Sequence, residues 1–234
     1  MSKPGDKPLE PQRPAGSKKP LAQPDRRCAR CGKDMNKGFL LSPDDICNDC
    51  HKELRSEGFL ARRKAAKPPV YDIDALLGAP NRKPWDVVKE LNSKIDPDCP
   101  ESLLLEPEIV VRDFERFSPL VGHDFGYILR LNHGVHNFLY GLRAMRAIGA
   151  THLANCMTQA RDFAARRGLA LPDPIPDPWL GDDVPIDDAL ERDLNKLTTD
   201  LKAYDGFKGG DLHKLLIQHL RAHLGTLRTR KPAK

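Results

Sequence analysis

Long apolar runs are missing from this sequence. No stretch approaches the roughly 18 residues of a membrane helix, and the N-terminus lacks an apolar targeting core. These absences predict a cytoplasmic, unprocessed chain with no membrane partner. Alternating apolar and polar residues, the mark of a half-buried strand, are also lacking beyond a short FLL at 39–41, and no internal repeat is evident. Catalytic signatures are scarce as well. There is no HExxH, and no carboxylate at fixed spacing completes a site around the histidines. The chain is therefore read as not an enzyme.

What is present divides by charge. Residues 1–83 hold 18 Lys/Arg against 11 Asp/Glu, residues 84–226 hold 16 against 22, and the last eight add four basic residues, for the overall +5. A basic front, an acidic body and a short basic tail are three different electrostatic objects. Residues 1–26 carry six prolines and almost nothing to bury, so they are expected to be a disordered basic arm. A cysteine module at 27–60, a linker at 61–83, a helical domain at 84–227 and a basic tail at 228–234 complete the expected organisation.

The cysteine module holds the plainest chemistry. Cys28-Ala-Arg-Cys31 and Cys47-Asn-Asp-Cys50 form C-x2-C-x15-C-x2-C, and four thiolates converging at about 2.3 Å suit tetrahedral zinc. Cys28, Cys31, Cys47 and Cys50 are the expected zinc ligands. Gly32, the run GFLL and the helical CNDCHKEL give the order knuckle, hairpin, helix. That order resembles a treble-clef zinc finger, and ICNDC looks like the second half of GATA-type fingers. Two roles stay open for it: zinc replacing a core in a module too small to have one, or contact with nucleic acid assisted by Arg26, Arg27, Arg30, Lys52, Arg55, Arg62, Arg63 and Lys64. Cys156 is expected in a core and Cys99 in a loop.

From Pro84 the pattern is helical throughout, and the expected fold class is all-α, a helical bundle of about six helices with the small zinc finger ahead of it. Trp85, Val88, Leu91 and Ile95 form one apolar stripe, Ile109, Val110, Phe114 and Phe117 a second, Leu153, Met157, Ala160 and Phe163 a third, and Ile186, Leu190, Leu194, Leu197 and Leu201 a fourth. Two helices should meet near Asn132–Gly134, with a left-handed glycine cap at Gly149, and Gly168 should stop the helix that follows. Asp187 and Asp188 should open one late helix, and Asp211 should cap another. The proline-rich 169–185 should be a loop pinned by Trp179 and Leu180. His133 and His136, three apart beside Asn132 and Asn137, are read as capping and packing groups, with a shared metal as the sharper alternative. His219 and His223 also have ligand spacing, and are read as a solvated face.

Asn132, Gly134, Asn137, Phe138 and Tyr140, followed by the Ile148-Gly149-Ala150 step and the late YDGFKGGDLHKLL, make residues 84–227 resemble the helical DNA mimic protein 19 family. That resemblance implies an all-α, often dimeric domain that presents acidic side chains to a DNA-binding protein in place of phosphates. The best local candidate for such a row is Asp173, Asp177, Asp182, Asp183, Asp187 and Asp188, with a solvated loop as the plainer reading. The expected function is a non-catalytic, zinc-binding regulatory or adaptor protein with a macromolecular partner; the alternative is nucleic-acid binding through the finger and basic linker.

Overall fold

Pro84 at the first position of a helix removes one of the N–H groups that would lack a partner there, and α3 (Pro84–Ser93) starts on it. The computed structural model describes residues 28, 30–31, 48–78, 81–131, 133–169, 171–172, 174–177, 186–201 and 209–231. Ten α-helices and no strand occur among them. Besides α3 these are α1 (Asn48–Ala65), α2 (Ile73–Gly78), α4 (Glu106–Phe117), α5 (Phe125–Arg130), α6 (Gly134–Ala147), α7 (Thr151–Arg166), α8 (Asp188–Leu201), α9 (Gly209–Ala222) and α10 (Leu224–Leu227). The chain divides into two units, Met1–Arg55 and Ser56–Lys234.

In the second unit the apolar stripes close on one core, with α6 packed on α4, α5 and α7, and α3 between α4 and α9. Val88, Leu91 and Ile95 are buried as their spacing requires, and so are Val110, Phe114, Phe117, Leu153, Met157, Ala160, Leu190 and Leu194. Trp85 departs from its stripe and is 45% exposed. It sits in the first turn of α3, where the ring of His213 meets the indole in a T-shaped contact with centres 4.9 Å apart. Tyr71, Ile73 and Leu76, inside the segment read as a linker, also enter this core.

Helix ends follow local chemistry. Gly149 (φ 74°) is left-handed after α6, as expected, and Gly168 (φ 89°), the expected stop of α7, is left-handed too. Asp187 accepts the Leu190 N–H at 2.7 Å and so caps α8. Asp211 does not cap α9, which already begins at Gly209; its carboxylate pairs with Lys214 at 3.0 Å one turn on. The start of α5 is satisfied from another helix: Thr198 and Asn195 of α8 accept the N–H groups of Phe125 at 3.0 Å and Tyr127 at 3.1 Å. Trp179 and Leu180 lie outside the described residues.

The close approach of α4 and α6 depends on Gly141, where any Cβ would overlap the ring of Phe117. Gly141→Ala should therefore lower stability by about 1–3 kcal/mol through overpacking. Gly225→Ala, with nothing within 4 Å of its added methyl, should stay within about 1 kcal/mol of the parent. Urea unfolding followed by circular dichroism measures both, and equal midpoints for the two variants would contradict this packing.

Candidate metal centre and basic pocket

Cys50 lies in the first turn of α1, where the helix N-terminus favours the thiolate. The sulfurs of Cys28, Cys31 and Cys50 all lie within 4.8 Å of one another, with Cys28 and Cys50 buried and Cys31 exposed. Tetrahedral zinc with bonds of 2.3 Å has sulfur–sulfur edges of about 3.8 Å, so the three donors suit that ion in chemistry and in spread. Arg30 and Glu53 form a 3.8 Å ion pair in the same unit. Cys47, the fourth expected ligand, lies outside the described residues.

His133 is the residue before α6 and takes a left-handed conformation, φ 59°. Its side chain makes no capping hydrogen bond to α6, contrary to the capping role expected of it. The join is closed by backbone instead, Gly134 N–H to Leu131 O at 2.7 Å and Asn137 N–H to His133 O at 3.0 Å. The rings of His133 and His136 are 5.8 Å apart, and among the described residues no carboxylate joins them in a metal-ligating group. Asn132 lies outside the described residues.

Those histidines line a cavity of about 320 Å³ with Asn137, Tyr140, Arg63, Arg112, Arg116 and Asp177. Arg63 pairs with Asp177 at 2.8 Å, and Arg112 pairs with Glu101 at 2.8 Å. Arg116 lies over Tyr140, 4.9 Å from the ring centre, and donates to the Pro97 carbonyl at 3.1 Å. Among the described residues no carboxylate lies within ion-pair distance of it, and burial, followed by the charge of Arg112, lowers its pKa. The pocket's net character is cationic, and an anionic group is what it can hold.

No family model, no curated protein and no solved structure matches this chain.

Much of the charge around this pocket is engaged internally. Asp177 also accepts the Glu101 N–H at 2.9 Å, and Asp188 pairs with Arg130 at 2.9 Å. With Asp187 capping α8, three of the six clustered aspartates have structural roles; Asp173, Asp182 and Asp183 lie outside the described residues. Of the basic residues assigned to phosphate contact, Arg62 pairs with Asp98 and Arg63 is held by Asp177.

A further cluster gave no signal in the sequence. Asp113 is fully buried; Arg143 donates to it from Nε at 2.6 Å and to Glu101 from Nη2 at 2.5 Å. Asp113 falls within the apolar stripe of α4, three residues after Val110 and four before Phe117, and Arg143 of α6 reaches it there.

Burial pushes the Asp113 carboxyl up to about 6 from an ordinary 3.8, against the hydrogen bond and charge of Arg143. Between those two values the folded protein keeps a proton that the unfolded chain has lost, so this group makes stability fall as pH rises from about 4 to 6. Asp113→Asn should remove that component. The difference in unfolding free energy between parent and variant, measured across this range, should slope; parallel curves would refute the assignment.

Proposed function

We propose that this protein is a non-catalytic zinc-binding adaptor whose helical body docks a protein partner on the groove around Trp85. Zinc held by Cys28, Cys31, Cys47 and Cys50 organises the N-terminal module, in line with the three thiolates that gather there. The observation that carries the partner-binding half is the half-exposed indole of Trp85, set in a groove with Pro84, Pro119 and His213 and rimmed by Lys83 and Lys214. Tryptophan in an apolar recess is the side chain most often found at the energetic centre of protein interfaces. The two lysines suit a partner that brings an apolar side chain flanked by carboxylates.

The DNA-mimic form of this reading needs carboxylates spaced along a face like phosphates. Asp98, Asp177, Asp188, Glu191 and Asp193 are all in ion pairs with arginine. We therefore put the partner at Trp85 rather than on an acidic row. The nucleic-acid reading is weakened in the same way, because Arg62 and Arg63 are paired.

Two readouts test the proposal. Cobalt substituted into the full chain should give thiolate-to-metal charge-transfer absorption that Cys47→Ser abolishes. Capture of a partner by the full chain should be lost in Trp85→Ala while the far-ultraviolet spectrum and melting temperature are kept. Capture that survives Trp85→Ala would overturn the groove assignment.

A further inference from the structure

We propose that Glu106, His219 and His223 form a second metal site, free of thiolate, that takes zinc or a similar divalent transition-metal ion and fastens the C-terminal helices to α4. Two separate stretches of chain supply the donors. Glu106 is the first residue of α4. His219 lies near the end of α9, and His223 follows one turn later as the residue before α10. Spacing of four puts the two imidazoles on one face, with ring centres 4.3 Å apart.

The distances suit a metal better than a hydrogen bond. Glu106 Oε2 is 3.5 Å from His219 Nε2 and 3.9 Å from His223 Nε2, and all three ligand atoms lie within 4.8 Å of one another. With metal bonds of 2.0–2.1 Å the edges of a tetrahedral site are about 3.4 Å. Small side-chain rotations therefore bring the three donors around a single ion.

The ring nitrogens are also arranged as ligands. His223 Nδ1 is 2.9 Å from the backbone carbonyl of His219 and donates its proton there. That bond leaves the Nε2 lone pair directed at Glu106, and a backbone carbonyl behind the ring is the usual outer partner of a metal-bound histidine. His219 Nε2 is buried and has no hydrogen-bond partner, although its side chain is only 8% exposed. A buried ring nitrogen with an unused lone pair facing a carboxylate is a cost to the fold that a cation would relieve.

Glu106 and His223 are 60% and 40% exposed, so the ion can enter from solvent, and a water can fill the fourth position. Two imidazoles and one carboxylate suit zinc, and the same donors bind nickel and copper. A magnesium or calcium ion, which prefers an all-oxygen shell, is not the expected occupant.

Zinc titrated into the full chain by equilibrium dialysis tests the site. The parent should bind two ions, one of them lost in Cys47→Ser and the other retained there. His223→Ala and Glu106→Gln, both at partly exposed positions, should weaken the retained ion by at least the roughly 10–100-fold that even an outer-shell partner is worth. They should leave the cobalt thiolate absorption unchanged. In nuclear magnetic resonance spectra of Cys47→Ser, zinc should shift the His219 and His223 ring signals together. A retained ion bound equally by the His223→Ala variant, or no retained ion at micromolar zinc, would overturn the proposal.

Discussion

The buried carboxylate of Glu108 is the interaction on which the helical body depends. It is fully enclosed, and it accepts hydrogen bonds from the Leu105 N–H at 2.6 Å, the Tyr71 hydroxyl at 2.6 Å, and Arg230 through Nε at 2.8 Å and Nη2 at 2.9 Å. A buried charge is tolerable only when its partners are complete, and of these four donors one is local and three come from two distant parts of the sequence, Tyr71 and Arg230. Around them the Tyr71 N–H bonds the Arg230 carbonyl at 3.2 Å, Arg228 pairs with Asp74 at 2.8 Å, and Lys231 pairs with Asp72 at 3.1 Å. The entry to the body and its C-terminal end are thus one structural feature with Glu108 between them. The Tyr71 hydroxyl is held far above its ordinary pKa by burial and by the adjoining carboxylate, so it remains a donor.

This arrangement engages inside the fold part of the charge that the sequence sets out in blocks. The basic residues after Leu227 look like a separate tail in the sequence, yet in the fold Arg230 pairs with Glu108 of α4, and Arg228 and Lys231 pair with Asp74 and Asp72. Glu101 and Asp113 with Arg112 and Arg143 repeat the pattern at the α4–α6 contact. Among the described residues two recesses stand out: a groove holding the half-exposed indole of Trp85, and a cationic pocket in which Arg116 has no carboxylate within ion-pair distance. The proposed adaptor role rests on such recesses, whereas a DNA mimic would need a regular row of unpaired carboxylates.

Apolar periodicity made most of the helices legible, because burial along one face is what the 3.6-residue repeat encodes. Val88, Leu91, Phe114, Met157 and Leu194 all lie where that repeat puts them, and Gly149 and Gly168 stop their helices in the left-handed conformation. The misses share one physical origin. Glu108, Asp113 and Thr198 are polar residues whose burial the pattern of apolar residues does not report, because their partners come from other elements or from a neighbouring turn. Trp85 fails in the opposite sense, since periodicity reports which face points inward and not whether a neighbour reaches far enough to cover it. Of the expected zinc ligands, Cys28, Cys31 and Cys50 come together: the C-x2-C spacing holds Cys28 and Cys31 near each other locally, and the start of α1 supplies Cys50. The pairing of Glu106 with His219 and His223 spans more than a hundred residues and leaves no local trace.

The most direct measurement of the central claim, that paired internal charge holds the body together, is the unfolding free energy of Glu108→Gln at neutral pH. Glutamine keeps the size of the side chain but removes the charge opposite Arg230, leaving that guanidinium uncompensated. The variant should lose about 3–5 kcal/mol in urea unfolding, as for other broken buried pairs, and release the Arg228–Lys231 segment in hydrogen exchange. An unchanged midpoint with the C-terminal amides still protected would contradict it.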